Sequence, residues 1–223
     1  MTGAPLPQPP TMDALQRALD EERAARLRLE GRLQLYAFLT RANEALFSVA
    51  TPGEAFVTLC RVAIESGDFR LAWVGHADPA VGEVRPVVVD GAEAGCVAQL
   101  RVTTDPALLT SHGPIGIALR DQKTVVVNDL ATDPRTTPWH GIAQAHGLRS
   151  VVACPIPGSG PADTAVAFYA GAPAFFTAEL VALLEEVARF VGLVLTTLEA
   201  RARQRDEEER RRRSEAAERL IFE

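Results

Sequence analysis

The stretch from Gly113 to Ile156, GPIGIALRDQKTVVVNDLATDPRTTPWHGIAQAHGLRSVVACPI, constrains the fold more than any other part of the chain. Gly113 and Gly116 bracket Pro114, whose fixed φ suits the first turn of a helix, and Ile115, Ala118 and Leu119 give that helix one apolar side. Asp121-Gln122-Lys123 breaks the pattern, so the helix is short. Thr124-Val125-Val126-Val127 is a run of β-prone residues and predicts a strand buried on both faces. Asn128 and Asp129 at its end are turn residues, and Asp133-Pro134 and Thr137-Pro138 forbid regular structure between them. A small-residue helical turn then leads through Gly147-Leu148-Arg149-Ser150 into a second apolar strand closed by Pro155.

The ordered set Gly113, Pro114, Gly116, Ala118, Arg120, Val126 or Val127, Asn128, Asp129, Asp133, Pro134, Pro138, Trp139, Gly147, Arg149, Ser150 and Pro155 resembles the GAF domain family, a small sensory fold. It looks most like the subgroup found ahead of PAS, diguanylate cyclase (GGDEF) and cyclic-di-GMP phosphodiesterase (EAL) domains. The resemblance covers roughly residues 36–198. It implies an α+β fold with a mostly antiparallel sheet of five or six strands. Long helices would cover one face, and loops with short helices would enclose a pocket on the other.

Length and composition agree with such a layout. The chain has 223 residues, enough for a domain of about 150 residues plus helical extensions. Its apolar fraction of 47% supports a packed core, and a net charge of -6 gives no reason to expect nucleic acid as a partner. Cys60, Cys96 and Cys154 are far apart and form no C-x-x-C pair, which argues against a disulfide frame or zinc cluster and fits a reducing compartment. No unbroken apolar run of about eighteen residues exists, so no membrane insertion is expected and the chain reads as cytoplasmic.

Four regions follow. Residues 1–10 are Pro-rich and read as a disordered lead-in. Residues 11–35, with Thr11 as N-cap and apolar residues at alternating three and four spacing, read as a coiled-coil helix or a merely amphipathic one. Its continuation through Phe38, Leu39, Leu46 and Phe47 would pack on the domain. Thr51-Pro52-Gly53-Glu54 is a capping box that opens a second helix ending near Ser66-Gly67. Strands are expected over Phe69 to His76 (with Phe69, Leu71, Trp73 and Gly75 on one side), Val84 to Asp90 (with Pro86 marking an edge strand), Val97 to Thr103, the two in the central stretch, and Thr164 to Ala170 after a Gly158-Ser159-Gly160-Pro161 hairpin. Thr177 caps a final helix whose stripe is Leu180, Leu184, Val187, Val191, Val194 and Leu198. Residues 199–223 continue it as a charged linker, with Asp206 to Glu209 each four residues before an arginine. The apolar residues that return before Glu223 resemble the helix opening a PAS domain, and a downstream output domain is expected.

The resemblance places Asp129, Trp139, His140, Arg149 and Ser150 around the pocket. Trp139 can stack a planar ligand, Arg149 can pair with an anion and Asp129 can take a hydrogen bond. Equally, Asp129 and Arg149 can pair with each other while Trp139 plugs the cavity. His140 departs from the arginine most common in the subgroup. His76, His112 and His146 are isolated, and no metal site or cofactor is indicated. Free methionine sulfoxide reductases, which are GAF-like enzymes, need clustered reactive cysteines; only Cys96 falls in a loop here. No P-loop, nucleophile elbow or paired-carboxylate motif exists, so no catalytic residue is assigned. The chain therefore reads as a sensory module that binds an unidentified small ligand or partner and signals through a homodimer of its terminal helices. The alternatives are a ligand-free dimerisation spacer and a redox enzyme.

Overall fold

Alternation along the central strands divides the molecule into two cores. The computed structural model describes residues 36–158 and 163–221, with positions 12, 16, 19 and 22, and side chains as far as Arg213. The expected lead-in over 1–10, nearly all of the helix over 11–35, the hairpin tip at Ser159 to Pro161 and the side chains of the last residues lie outside the described residues. Helix α1 covers 36–47. Then come α2 (Pro52–Ser66), β1 (Leu71–Ala77), β2 (Glu83–Asp90), a 3-10 helix (Ala94–Gln99), β3 (Val102–Thr103) and a 3-10 turn (Leu109–Ser111). The second half holds α3 (Pro114–Asp121), β4 (Val125–Val127), a 3-10 helix (Pro134–Trp139), α4 (His140–Ala145), β5 (Ser150–Ile156), β6 (Thr164–Ala170) and α5 (Ala178–Ile221).

The six strands form one sheet in the order β3-β2-β1-β6-β5-β4, every pair antiparallel. Because side chains alternate, Ala72, Val74, Val152, Cys154, Val166 and Phe168 face one way and Leu71, Trp73, Val151, Ala153, Ala165 and Ala167 the other. The first set is covered by α1, α2 and α5, through Phe38, Leu46, Phe56, Leu59, Leu184, Val187 and Val191. Each large side chain so buried contributes about 1.5–3 kcal/mol. The second set is covered by α3, α4 and the 3-10 segments. This is the α+β layout expected, with long helices on one face and short helices with loops on the other.

Several local expectations hold for identifiable reasons. Thr51 Oγ1 accepts the Glu54 N–H at 3.2 Å, and Glu54 Oε2 accepts the Ala50 N–H at 2.7 Å, closing the box that starts α2. Thr177 Oγ1 accepts from Leu180 N at 3.3 Å at the start of α5. The edge strand expected from Pro86 is β3 rather than β2, yet the proline is accommodated: β3 flanks β2 only at Glu83 and Val84, and Pro86 sits beside a bulge, since Val74 pairs with Val88 and Gly75 with Pro86. The stripe of α5 is buried at Leu180, Leu184, Val187, Ala188, Val191 and Leu195, while Val194 and Leu198 are half-buried. The helical period drifts from a strict heptad, and the core follows the helix.

Other expectations are corrected. Phe69 does not share a side with Trp73. Asp68, at φ 58, turns the chain just before β1, and Phe69 packs among Phe38, Phe168, Phe175 and Phe176 at ring separations of 5.1–6.0 Å. Val97 to Thr103 is not one strand: Cys96 and Val97 are buried from a 3-10 helix, and only Val102–Thr103 reaches the sheet. Phe47 is 82% exposed and does not enter the core, although its ring lies 6.0 Å from that of Phe190.

Gly192 lets α5 pass close to the chain leaving β5, since a Cβ there would collide with the Pro157 carbonyl oxygen. An alanine in mid-helix is ordinarily favoured over glycine by about 1 kcal/mol. Here the clash is expected to win: Gly192→Ala should lower the stability by about 1–3 kcal/mol and the melting temperature by several degrees. Gly141→Ala in α4, where no atom lies within 4 Å of the new Cβ, should leave it unchanged or slightly raised. Thermal unfolding of both variants checks the sign.

Candidate functional site

The register sets Val89, Trp73, Ala167, Ala153 and Val125 in one row across the face opposite the long helices. One large ring therefore lies beside two alanines, and the neighbouring row pairs Gly75, Ala165 and Pro155. These small side chains leave a hollow that the covering segments span without filling. Leu71, Trp73 and Tyr169 form its floor; Cys96, Leu100 and Val102 one wall; Gly113, Pro114 and Ile115 of α3 another. Leu130, Thr136, Trp139, Ile142, Ala143 and Leu148 complete it. The cavity contains about 520 Å³ of atom-free space, its open mouth included, and no charged residue lines it.

Trp139 is brought to the cavity by the proline-punctuated loop. Asp133 caps the 3-10 helix by accepting the Arg135 N–H at 2.9 Å, and Trp139 ends that helix against Gly113. A Cβ at Gly113 would lie 2.5 Å from Trp139 Cη2 and Cζ3, so the indole rests directly on the glycine that opens α3. The other four predicted site residues lie outside the lining. Asp129 accepts from Ala131 N at 3.2 Å and from Arg149 Nη2 at 3.2 Å. The Ala131 N–H, followed by Arg149, holds its carboxyl below the usual carboxylate range. His140 Nε2 lies 3.3 Å from Thr136 Oγ1 and 3.1 Å from the Asp133 carbonyl oxygen. Ser150 is fully buried and donates its hydroxyl to the Ala172 carbonyl at 2.8 Å. The structure thus joins Asp129 to Arg149 and leaves Trp139, of the five, at the cavity.

Sequence reasoning missed the floor. Trp73 and Tyr169 lie on strands nearly a hundred residues apart and meet through the β1–β6 pairing, which sets Leu71 opposite Tyr169. Burial pushes the Tyr169 hydroxyl up to about 12, so it remains protonated. A second omission is Glu93, which accepts from Arg70 Nη2 at 2.9 Å and has its other oxygen 2.7 Å from His146 Nδ1. Those two contacts keep its carboxyl ionised to below the ordinary range and tie the 3-10 wall to the end of α4. Among the described residues, no group of three or more His, Cys, Asp or Glu side chains is placed to hold a metal ion.

A profile of the GAF domain family matches residues 49–196, more than half of the chain. The chain belongs to the GAF domain family. No curated protein matches it in sequence. Among solved structures it is similar to the free methionine-R-sulfoxide reductase of Neisseria meningitidis in complex with its substrate, at 17% identity and a TM-score of 0.61, over 75% of this chain and 91% of that one. It is likewise similar to the GAF domain of a phosphoenolpyruvate-protein phosphotransferase from Coxiella burnetii, at 14% identity and a TM-score of 0.60, over 76% of this chain and 97% of that one. A GAF sensor protein from Burkholderia vietnamiensis gives 16% identity and a TM-score of 0.57, over 73% and 93%. At such identities these likenesses concern the fold, and GAF folds of this shape include both sensory domains and reductases.

The cysteines bear on that division. Cys60 and Cys154 lie in the helix-side core, where burial pushes both thiols up to about 12. Cys96 lies on the opposite side of the sheet, 1% exposed, and burial raises its pKa too. The sheet separates Cys96 from the other two thiols.

Two outcomes test this account of the GAF pocket. Gly113→Ala should displace the Trp139 indole towards solvent and red-shift tryptophan emission; an unchanged spectrum would mean that the ring does not rest there. Asp129 has a lowered folded pKa, so its contribution is present above the ordinary carboxylate value of 3.8 and is lost as pH falls through the lower folded one. Asp129→Asn should accordingly melt below the unaltered protein at pH 7, with the gap closing as the pH drops below that value. A gap independent of pH would show that the charge has no part in it.

Proposed function

We propose that this GAF domain is the sensory module of a bacterial signalling protein. It binds a small molecule under Trp139 and passes the change through paired helices to an output domain, in the company of PAS and cyclic-di-GMP synthesis or breakdown domains, in the cytoplasm. The observation that carries the reading is the apolar cavity itself, lined by two tryptophans and a tyrosine and walled by segments far apart in sequence. In this reading Trp139 contacts the ligand, while Asp129, His140, Arg149 and Ser150 hold the loop that carries it.

Helix α5 supports the output route. It runs for 44 residues, about 66 Å at the usual rise, and every described side chain from Glu199 to Arg213 is exposed. A solvated helix of that length gains little from propensity alone, although Glu209 and Arg213 pair at 3.5 Å. A second copy would bury the exposed Phe47 and Leu193, which flank Phe190 at the α1–α5 face. Among the described residues no helix is long and apolar enough to cross a membrane. The likeness to reductases favours a second reading, a thiol enzyme. Against it, Cys96 faces the cavity with no second thiol on its side of the sheet.

Native mass spectrometry and absorbance of the freshly purified protein should reveal a carried-over small molecule, released on denaturation and lost in Trp139→Ala. Sedimentation should show a dimer at micromolar concentration that Phe47→Glu with Leu193→Glu converts to monomer. An empty protein that no small molecule stabilises in a thermal-shift screen would leave only a spacer, and a monomer would remove the helical route.

A further inference from the structure

The side chains that line the cavity carry few polar atoms, and those serve the protein itself. On the floor the Trp73 indole N–H donates to the Tyr169 hydroxyl, across the pairing of β1 with β6. That hydroxyl keeps its proton, because burial pushes it up to about 12. Thr136 is 1% exposed, and its Oγ1 lies 3.0 Å from the Leu130 carbonyl oxygen, 2.9 Å from that of Asp133 and 3.3 Å from His140 Nε2, so it is committed to its own loop. Trp139 turns the carbon edge of its ring, Cε3, Cζ3 and Cη2, onto Gly113, which leaves its N–H on the edge away from α3. Cys96 stays a neutral thiol, since burial raises its pKa.

Charge is kept outside in the same way. Arg149 pairs with Asp129, Arg135 with Asp133 and Arg120 with Asp121, while Glu93 takes both Arg70 and His146. None of these residues lines the cavity. A charged ligand would lose its hydration there with no opposite charge to receive it, and a hydroxyl or amide buried against this wall would lose its bonds to water without full replacement.

We infer that the pocket takes a small uncharged molecule, apolar throughout the part it buries, with an aromatic hydrocarbon as the simplest member of the class, held by contact with Leu100, Trp139, Ile142 and Leu148 rather than by hydrogen bonds. The inference rests on the ligand-sensing reading and adds the class of ligand. A polar substituent on such a molecule belongs at the open mouth, where water reaches it. Nucleotides, phosphates and free amino acids fall outside the class by their charge.

The test uses ethylbenzene, benzyl alcohol and benzylammonium, in which CH3, OH and NH3+ replace one another on the same benzyl frame. The full chain, labelled with ¹⁵N, is titrated with each. The indole N–H resonance of Trp139, assigned by its loss in Trp139→Phe, reports occupancy. Ethylbenzene should bind at least about tenfold more tightly than benzyl alcohol, the penalty of one hydroxyl buried without a partner, and benzylammonium should leave the resonance unmoved. Tyr169→Phe should lower the melting temperature, because it strands the Trp73 N–H, yet keep the same order of ligands. Ala143→Leu, which fills the cavity from α4, should weaken ethylbenzene binding at least tenfold. Benzyl alcohol binding as tightly as ethylbenzene would overturn the inference and leave the pocket standing; its loss in Tyr169→Phe would then identify the polar partner. Benzylammonium binding most tightly would overturn neutrality. If none of the three moves Trp139, or if Ala143→Leu binds ethylbenzene undiminished, the pocket reading fails and the class of ligand with it.

Discussion

A sheet buried on both faces must be covered twice, and the size of the side chains on each face decides how closely the cover approaches. On the helix side the strands present Val74, Val152, Val166 and Phe168, against which α2 and α5 pack in continuous contact. On the other side the central positions are Gly75, Ala153, Ala165 and Ala167, with Trp73 the one large ring among them. Alanines cannot reach an overlying segment as valines do, so the cover stands off except where Trp73 and Tyr169 rise to meet it. The cavity follows from this asymmetry in volume, and the short helices and 3-10 turns above it are the irregular cover that a hollow surface permits.

The loop between β4 and β5 shows why its polar residues do not serve the cavity. A segment with Pro134 and Pro138 can form no continuous helix, and its backbone groups must find partners among nearby side chains. Asp129, Asp133, Thr136 and His140 supply them, through Ala131 N, Arg135 N, the Leu130 carbonyl and the Asp133 carbonyl. Short polar side chains at turns bond their own backbone first, since those partners are always within reach. Trp139 has no such local demand on it. Its bulk turns inward onto Gly113 and the apolar wall.

Legibility in the sequence divides along the same line between local and distant causes. Thr51 to Glu54, the alternation from Leu71 to Ala77, the punctuation at Asp133-Pro134 and Thr137-Pro138 and the stripe of α5 are each set by neighbours a few residues apart, and each was readable. Phe69 falls on the other side from Trp73 because the chain bends at Arg70, before β1 begins at Leu71, so the alternation of the strand does not reach back to it. Val97 to Thr103 reads as one strand because a short apolar stretch does not by itself distinguish a strand from a 3-10 turn. The approach of Trp73 to Tyr169 has no local signature at all, since only the pairing of β1 with β6 creates it. A chain read for motifs finds the lid of this pocket and misses the floor.

The position of β5 argues for how an occupant would be felt outside the cavity. Its Val151 and Ala153 belong to the pocket side and its Val152 and Cys154 to the helix side, so a single strand is shared by both cores. At one end Ser150 Oγ is held by the Ala172 carbonyl, and the Ala174 N–H, on a residue at φ 53, donates to the Asn128 carbonyl at 2.7 Å. A non-glycine residue in that conformation is strained by about 1–2 kcal/mol, and the bond to the β4 end keeps it there. At the other end Pro157 abuts Gly192 of α5 without room for a methyl group. A shift of the loop under Trp139 cannot be absorbed by a soft contact at either end, because one is a strained, hydrogen-bonded turn and the other a close backbone approach. The compliant partner is α5, whose outer turns meet only solvent in a single chain, and displacement of that helix is the response such a frame favours.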